Sequence, residues 1–272
     1  MEWIVSGIVL LVAAWVSHRW AWWRPTVDES LPRILMYHMV REEIPGSRHN
    51  KLRVSPAEFE KQVRWLKEDG WEFVTVSEIL DWPEGGKRVA ITFDDGYRDN
   101  LVSALPVLEK YGAKMTLYLV ADRSVCPDWP AQRKAARAGS DLSSEERLSD
   151  AEVKELVASG LVELGSHTIT HVDLTRVTGE EKEREVKESR TMIEALCGQS
   201  VRTICYPFGL FAAGDPGRLR ELGYEAALTV EQGISDPKRD DPMFWKRVKV
   251  SGEEGMFSFR LRMRTGFRGW KK

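Results

Sequence analysis

The chain has 272 residues, 42% of them hydrophobic and 30% charged, which is too apolar for a disordered protein and enough to build one or two packed domains. Lys and Arg number 40 against 42 Asp and Glu, and the resulting net charge of −2 argues against a nucleic-acid partner. Cys126, Cys197 and Cys205 form no CxxC pair, which excludes a disulfide framework or a thiolate zinc site of their own.

The first 23 residues are the first informative stretch. Trp3 to Ser17 carries no charge, and apolar character resumes after His18-Arg19 through Trp23. Trp3, Trp15, Trp20, Trp22 and Trp23 bracket the run as an aromatic belt would. Residues 1–24 are therefore expected to form an uncleaved transmembrane or signal anchor, with Arg19 snorkelling to the interface. A cleaved signal peptide fits less well, because the start lacks a Lys/Arg region and a small-x-small cleavage site. Arg19, Arg24 and Arg33 follow the segment while only Glu2 and the α-amino group precede it. By the positive-inside rule that leaves the main domain in the cytoplasm. The chemistry derived below argues instead for a membrane-anchored, extracytoplasmic domain.

After a linker over 25–32, β-rich runs alternate with helical stretches. The predicted strands are 34–37, 73–76, 89–93, 115–120, 162–165, 203–206, 226–230 and 245–250. Helix starts are marked by Ser55-Pro56-Ala57-Glu58, Ser149-Asp150-Ala151-Glu152 and Thr178-Gly179-Glu180-Glu181, each with the Ser/Thr-x-x-Glu signature of a capping box. Gly70, Gly112, Gly160, Gly198 and Gly223 each end a helix just before a strand. Such alternation predicts an α/β fold over 33–250, with a parallel sheet closed into a barrel. Asp122–Arg147 is an insertion. Residues 251–272 form a basic tail in which Phe257, Phe259, Leu261 and Met263 alternate with polar positions. That pattern predicts a last strand or frayed end, or alternatively a patch for an anionic surface.

In a β/α barrel the reactive groups gather at the C-terminal ends of strands. Here those ends read His38, then Asp94-Asp95, then His167 with His171, then Pro207-Phe208-Gly209. His167 and His171 are four apart, so on one helical turn both imidazoles would face one ion. One carboxylate completes a two-His, one-acid set with room for water and substrate, as hydrolytic zinc sites require. Two adjacent acids at a barrel mouth repel unless a cation or shared proton resolves them. One of the two can therefore bind metal while its neighbour faces the water.

These residues resemble a known family. Thr92-Phe93-Asp94-Asp95-Gly96, Ser166-His167-Thr168-Ile169-Thr170-His171 and Tyr206-Pro207-Phe208-Gly209 are similar to the three leading motifs of the NodB-homology polysaccharide deacetylases, carbohydrate esterase family 4. The resemblance implies a distorted (β/α)7 barrel and a divalent metal, usually Zn²⁺. It implies Asp95, His167 and His171 as ligands, Asp94 as general base, and the Tyr206-Pro207-Phe208 segment around the oxyanion and substrate. Two departures stand out: Cys205 occupies the place of the third motif's Arg, and no histidine follows His171 to supply the usual acid. Met36-Tyr37-His38-Met39-Val40 resembles the early Tyr-His motif of the poly-β-1,6-N-acetylglucosamine deacetylase branch, which implies His38 as the acid. His38 alone of the remaining histidines ends a predicted strand. Arg247 resembles a late Arg of that branch and would stand beside Asp94.

The expected reaction is metal-assisted hydrolysis of N-acetyl groups on an amino-sugar polymer, with poly-N-acetylglucosamine, peptidoglycan and chitin-like oligomers all open. Neighbouring carboxylates are expected to favour the His38 imidazolium. Two rivals remain: a non-haem iron oxygenase, which also uses two His and a carboxylate, and a non-catalytic, membrane-anchored sugar-binding relative.

Overall fold

The structure, a computed structural model, describes residues 2–20, 23–81, 86–124 and 141–267. Its strands in chain order are β1 (Arg33–Tyr37), β2 (Met39–Val40), β3 (Arg53–Val54), β4 (Glu72–Phe73), β5 (Arg88–Asp94), β6 (Met115–Leu119), β7 (Val162–Ser166), β8 (Thr203–Cys205), β9 (Ala226–Gln232) and β10 (Trp245–Lys249). The helices are α1 (Glu2–Trp20), α2 (Pro56–Glu68), α3 (Val76–Asp81), α4 (Leu105–Tyr111), α5 (Asp150–Ala158), α6 (Gly179–Cys197), α7 (Asp215–Glu221) and α8 (Met256–Thr265). Strands β5 to β10 pair in parallel in sequence order, and β1 joins β10 to β5, so seven strands close a ring. The eighth predicted strand is cut short. β4 pairs only with the start of β5, Phe73 opposite Val89, outside the ring, and the chain enters α3 at Val76.

Two-residue periodicity decides what meets inside the barrel. Ile34 of β1, Ala90 of β5, Tyr118 of β6, Cys205 of β8, Leu228 of β9 and Trp245 of β10 form one buried cluster. Their neighbours Leu35, Ile91, Leu117, Ile204, Ala227 and Val248 pack in the other, larger core beside the helices. Stepping by two along the inward face reaches His38 from Ile34, Asp94 from Ala90, and Arg247 from Trp245. The strands thus aim those three side chains at one volume.

The helix starts follow local chemistry. Ser149 and Glu152 make a reciprocal capping box, and the Ser55 hydroxyl accepts from the Glu58 N–H. Thr178 makes no side-chain cap bond, since Gly179 (φ 59°) turns the chain into the helix by another path.

Two expectations fail. Among the described residues no helix is long and apolar enough to cross a membrane, which overturns the predicted anchor and, with it, the membrane partner and the membrane-anchored location. The uncharged stretch Trp3–Ser17 covers only ~22 Å at about 1.5 Å per residue, short of a hydrocarbon core of ~30 Å. The tail is also not a strand. Met256–Thr265 is helical, with Phe259, Leu261 and Met263 buried and the Phe259 ring edge-on to Trp65 at 5.8 Å. Arg262 is engaged by Glu254 and Gln232, so it belongs to the fold rather than to a free basic patch. Cys126, most of the expected insertion (125–140) and residues 268–272 lie outside the described residues.

Candidate active site

The inward ends of β5 and β10 make the first half of the site. Arg247 donates to Asp94 through both terminal nitrogens, Nη1 to Oδ1 at 2.7 Å and Nη2 to Oδ2 at 2.8 Å. The same guanidinium donates to Thr92 Oγ1 at 3.2 Å and to the Thr229 carbonyl at 2.9 Å, and its Nη2 stands 3.0 Å from Cys205 Sγ. Arg247 is fully buried and Asp94 nearly so. Burial alone would raise the Asp94 carboxyl, but Arg247 outweighs it and holds the group below the usual carboxylate range. Asp94 is therefore ionised at neutral pH, and its repulsion from Asp95 is relieved.

Asp95 leaves the strand with φ 79°, which turns its carboxylate away from its neighbour's. Gly96 follows at φ 77°, and a Cβ there would lie 2.6 Å from Leu119 Cδ1. The turned Asp95 Oδ1 lies 3.4 Å from His167 Nε2 and 3.4 Å from His171 Nε2. The ligand atoms of the three residues all lie within 4.8 Å of one another, and all three residues are buried. Asp95 Oδ1 has no hydrogen-bond partner, a costly condition for a buried carboxylate oxygen. A divalent ion between it and the two Nε2 atoms would remove that cost, so the donor set fits the zinc expected from the motifs.

The two histidines do not share a helical turn. They flank a loop after β7 in which Thr168 (φ 65°) and His171 (φ 58°) adopt left-handed backbone, and their rings meet edge-to-face at 4.7 Å. The loop is held from a distance. Glu185 of α6 accepts from the N–H groups of Ile169 and Thr170, each at 2.9 Å, and from the Thr170 hydroxyl at 2.8 Å. His167 Nδ1 bonds the Cys205 carbonyl at 2.7 Å, which fixes Nδ1 as the protonated nitrogen and leaves Nε2 for an ion. Phe208, at φ 58° in the turn after β8, sets its ring 4.5 Å from that of His171. Gly209 lets that turn approach β9, because a Cβ there would lie 2.3 Å from Val230 Cγ2. Tyr206 and Pro207 are buried.

His38 follows β1, and its Nε2 lies 3.9 Å from Asp94 Oδ2, beside the carboxylate rather than across the pocket from it. Its side chain is 18% exposed, against 3% and 7% for His167 and His171, so it is the most accessible of the three. Asp94 and Asp95 favour the His38 imidazolium as expected, but they do not decide its state. Burial outweighs Asp94 and Asp95 and lowers the His38 pKa, with Arg247 adding to the fall.

Two contributors escape sequence reasoning: Cys205 through its carbonyl, and Glu185. Only Glu185 leaves a trace in the sequence, as a charge on the stripe of α6 that buries Val186, Ser189 and Ile193.

The two histidines titrate in opposite directions. Burial pushes His171 down to about 3. Burial also opposes the charge on His167, but contacts with Cys205 and Asp95 outweigh it and raise the group well above its ordinary value. Binding of a divalent ion near neutral pH is therefore expected to release about one proton, from His167. Calorimetric titration of Zn²⁺ in buffers of unequal ionisation enthalpy measures this, and a heat independent of buffer would contradict it.

The polysaccharide deacetylase family model matches residues 82–227. YxkH of Bacillus subtilis, which carries the polysaccharide deacetylase name, is 31% identical over 237 residues, covering 85% of this chain and 75% of that protein. A poly-beta-1,6-N-acetyl-D-glucosamine N-deacetylase of Staphylococcus aureus is 27% identical over 215 residues, covering 74% of this chain and 68% of that protein. The crystal structure of BC0361, a polysaccharide deacetylase from Bacillus cereus, superposes with a TM-score of 0.72 at 29% identity, over 86% of this chain and 69% of that one.

Proposed function

The chain belongs to the polysaccharide deacetylase family, and on that premise we propose that it hydrolyses N-acetyl groups of an amino-sugar polymer with the help of a bound divalent ion, zinc. The observation that carries this reading is the convergence of Asp95 Oδ1 with both imidazole Nε2 atoms, next to a carboxylate held ionised by Arg247. When bound, the ion supplies Lewis-acid polarisation of the acetyl carbonyl and acidifies water. Asp94 takes the proton of the attacking water, its orientation fixed by the two-pronged Arg247 contact. The Phe208 N–H, in the turn against His171, contributes to holding the oxyanion. His38, the most exposed titratable side chain of the site, protonates the departing amine, without which an amine anion would have to leave; its lowered pKa makes the imidazolium a stronger acid once it has taken up a proton. Family membership supports an enzyme acting on N-acetyl amide bonds over a sugar-binding relative or an iron oxygenase.

The Staphylococcus aureus relative is named for poly-β-1,6-N-acetylglucosamine, which we take as the first substrate to test. Acetate release measured in parallel on that polymer, on peptidoglycan and on chitin oligomers should be fastest on the first. No release from any of the three would overturn the reading.

His38→Ala separates the acid from the base. It should keep metal and lose ~10²–10⁴-fold in turnover on an N-acetylated oligomer, and lose far less on an aryl acetate whose leaving group needs no proton. Equal losses on both substrates would remove His38 from the acid role.

A further inference from the structure

The short segment that follows the two aspartates also reaches back to the loop that carries His38. Asn100 is fully buried, and its Nδ2 donates to the His38 carbonyl at 3.0 Å and to Asp99 Oδ1 at 3.0 Å. Asp99 Oδ1 also accepts from the Val40 N–H at 3.0 Å. The backbone on the C-terminal side of His38 is thus tied at two successive points, one acceptor and one donor, by two adjacent side chains. On the N-terminal side Tyr37 is locked by its hydroxyl bond to Gln62 and by ring contacts of 5.4 Å to Phe59 and Phe93. Asn100 Oδ1 is buried without a hydrogen-bond partner, a cost set against the two bonds that Nδ2 makes. An apolar side chain would fill the same space without it. What Asn100 provides, and an apolar side chain would not, is the tie to His38.

We propose that Asp99 and Asn100 are positioning residues that hold His38 at its working distance from Asp94. Asp94 to Asn100 is a run of seven residues, so base and acid are both tied to one short piece of backbone, 3.9 Å apart. The proposal rests on the reading of His38 as the acid that serves the leaving nitrogen. Misplacing such a group by about an ångström costs on the order of 10²-fold in rate.

The test compares Asn100→Ala, Asp99→Ala and Asp99→Asn in the full, zinc-loaded chain on an N-acetylglucosamine oligomer and on an aryl acetate. His38→Ala serves as the reference, and metal content and thermal unfolding are recorded for each. The two alanine variants should lose ~10–10²-fold in kcat on the amide, with KM and the aryl acetate rate changed by less than about twofold. Asp99→Asn keeps an oxygen for Val40 and Asn100 and should retain near-normal amide turnover, and its contrast with Asp99→Ala decides the matter if Asn100→Ala does not fold. Normal amide turnover in the alanine variants, or losses equal on amide and ester, would overturn the clamp while leaving His38 as acid untouched. Full amide activity in His38→Ala would instead overturn the acid reading itself, and the clamp with it.

Discussion

Replacing Asp94 by Asn should lower acetyl release by about 10²–10⁴-fold and leave the metal content of the protein unchanged. The effect is large because nothing else at the inward end of β5 can take the proton. Asp95 is committed to His167 and His171, and His38 is assigned to the leaving nitrogen rather than to the water. Asn preserves shape and one acceptor for Arg247, so the side chain stays in place while its basicity is lost. The amide nitrogen faces the other guanidinium nitrogen, so some stability is lost as well, and turnover must be compared at a temperature where both proteins are folded. Metal analysis together with acetate release checks the result. Near-normal turnover would mean that another group removes the proton.

The second large effect concerns Arg247. A fully buried guanidinium with a buried carboxylate on its end is expensive to break from one side, because the surviving charge cannot reach water. Arg247→Met should destabilise the protein by about 3–5 kcal/mol and abolish turnover by leaving Asp94 buried without its counter-charge. Asp94→Leu combined with Arg247→Met should recover most of that stability, since well-packed apolar replacements of a buried pair are often neutral. Denaturant unfolding of the two single variants and the double gives the coupling directly. A double variant as unstable as the sum of the singles would show that Arg247 is held mainly by Thr92, Thr229 and Cys205 rather than by Asp94.

The sequence made much of this architecture legible because the signals are local. Strand runs bounded by capping boxes and glycines located the eight strands of the main sheet, though not β2 and β3, and the period-two alternation in β1, β5 and β10 already contains the meeting of His38, Asp94 and Arg247. Asp95 turning away from Asp94 is foreshadowed by the glycine that follows it. Long-range contacts were not legible. Nothing in the composition of α6 says that Glu185 reaches the His171 loop, and nothing around Cys205 says that its carbonyl selects the His167 tautomer. The expectation for His38 is incomplete because a sequence shows which carboxylates are near but not how deeply the group is buried, and here burial decides the sign. The histidine pair converges through a loop with two left-handed residues, since four-residue spacing is compatible with more than one backbone path. The tail misled through its alternation, which a helix buries equally well when its apolar residues pack against α2. The apolar N-terminus falls short on length: its charge-free run ends at His18-Arg19, before a span is complete.

The most direct test of metal-assisted deacetylation is a titration of zinc into chelator-stripped protein, with acetate release from poly-β-1,6-N-acetylglucosamine oligomers followed at each step. The rate should be at background before the ion is added, rise in proportion to bound zinc and level off at about one ion per chain. Asp95→Ala should neither bind the ion tightly nor recover the rate. Acetate release that persists undiminished in the stripped protein, or that Asp95→Ala sustains, would contradict the assignment of Asp95, His167 and His171 as the centre of the reaction.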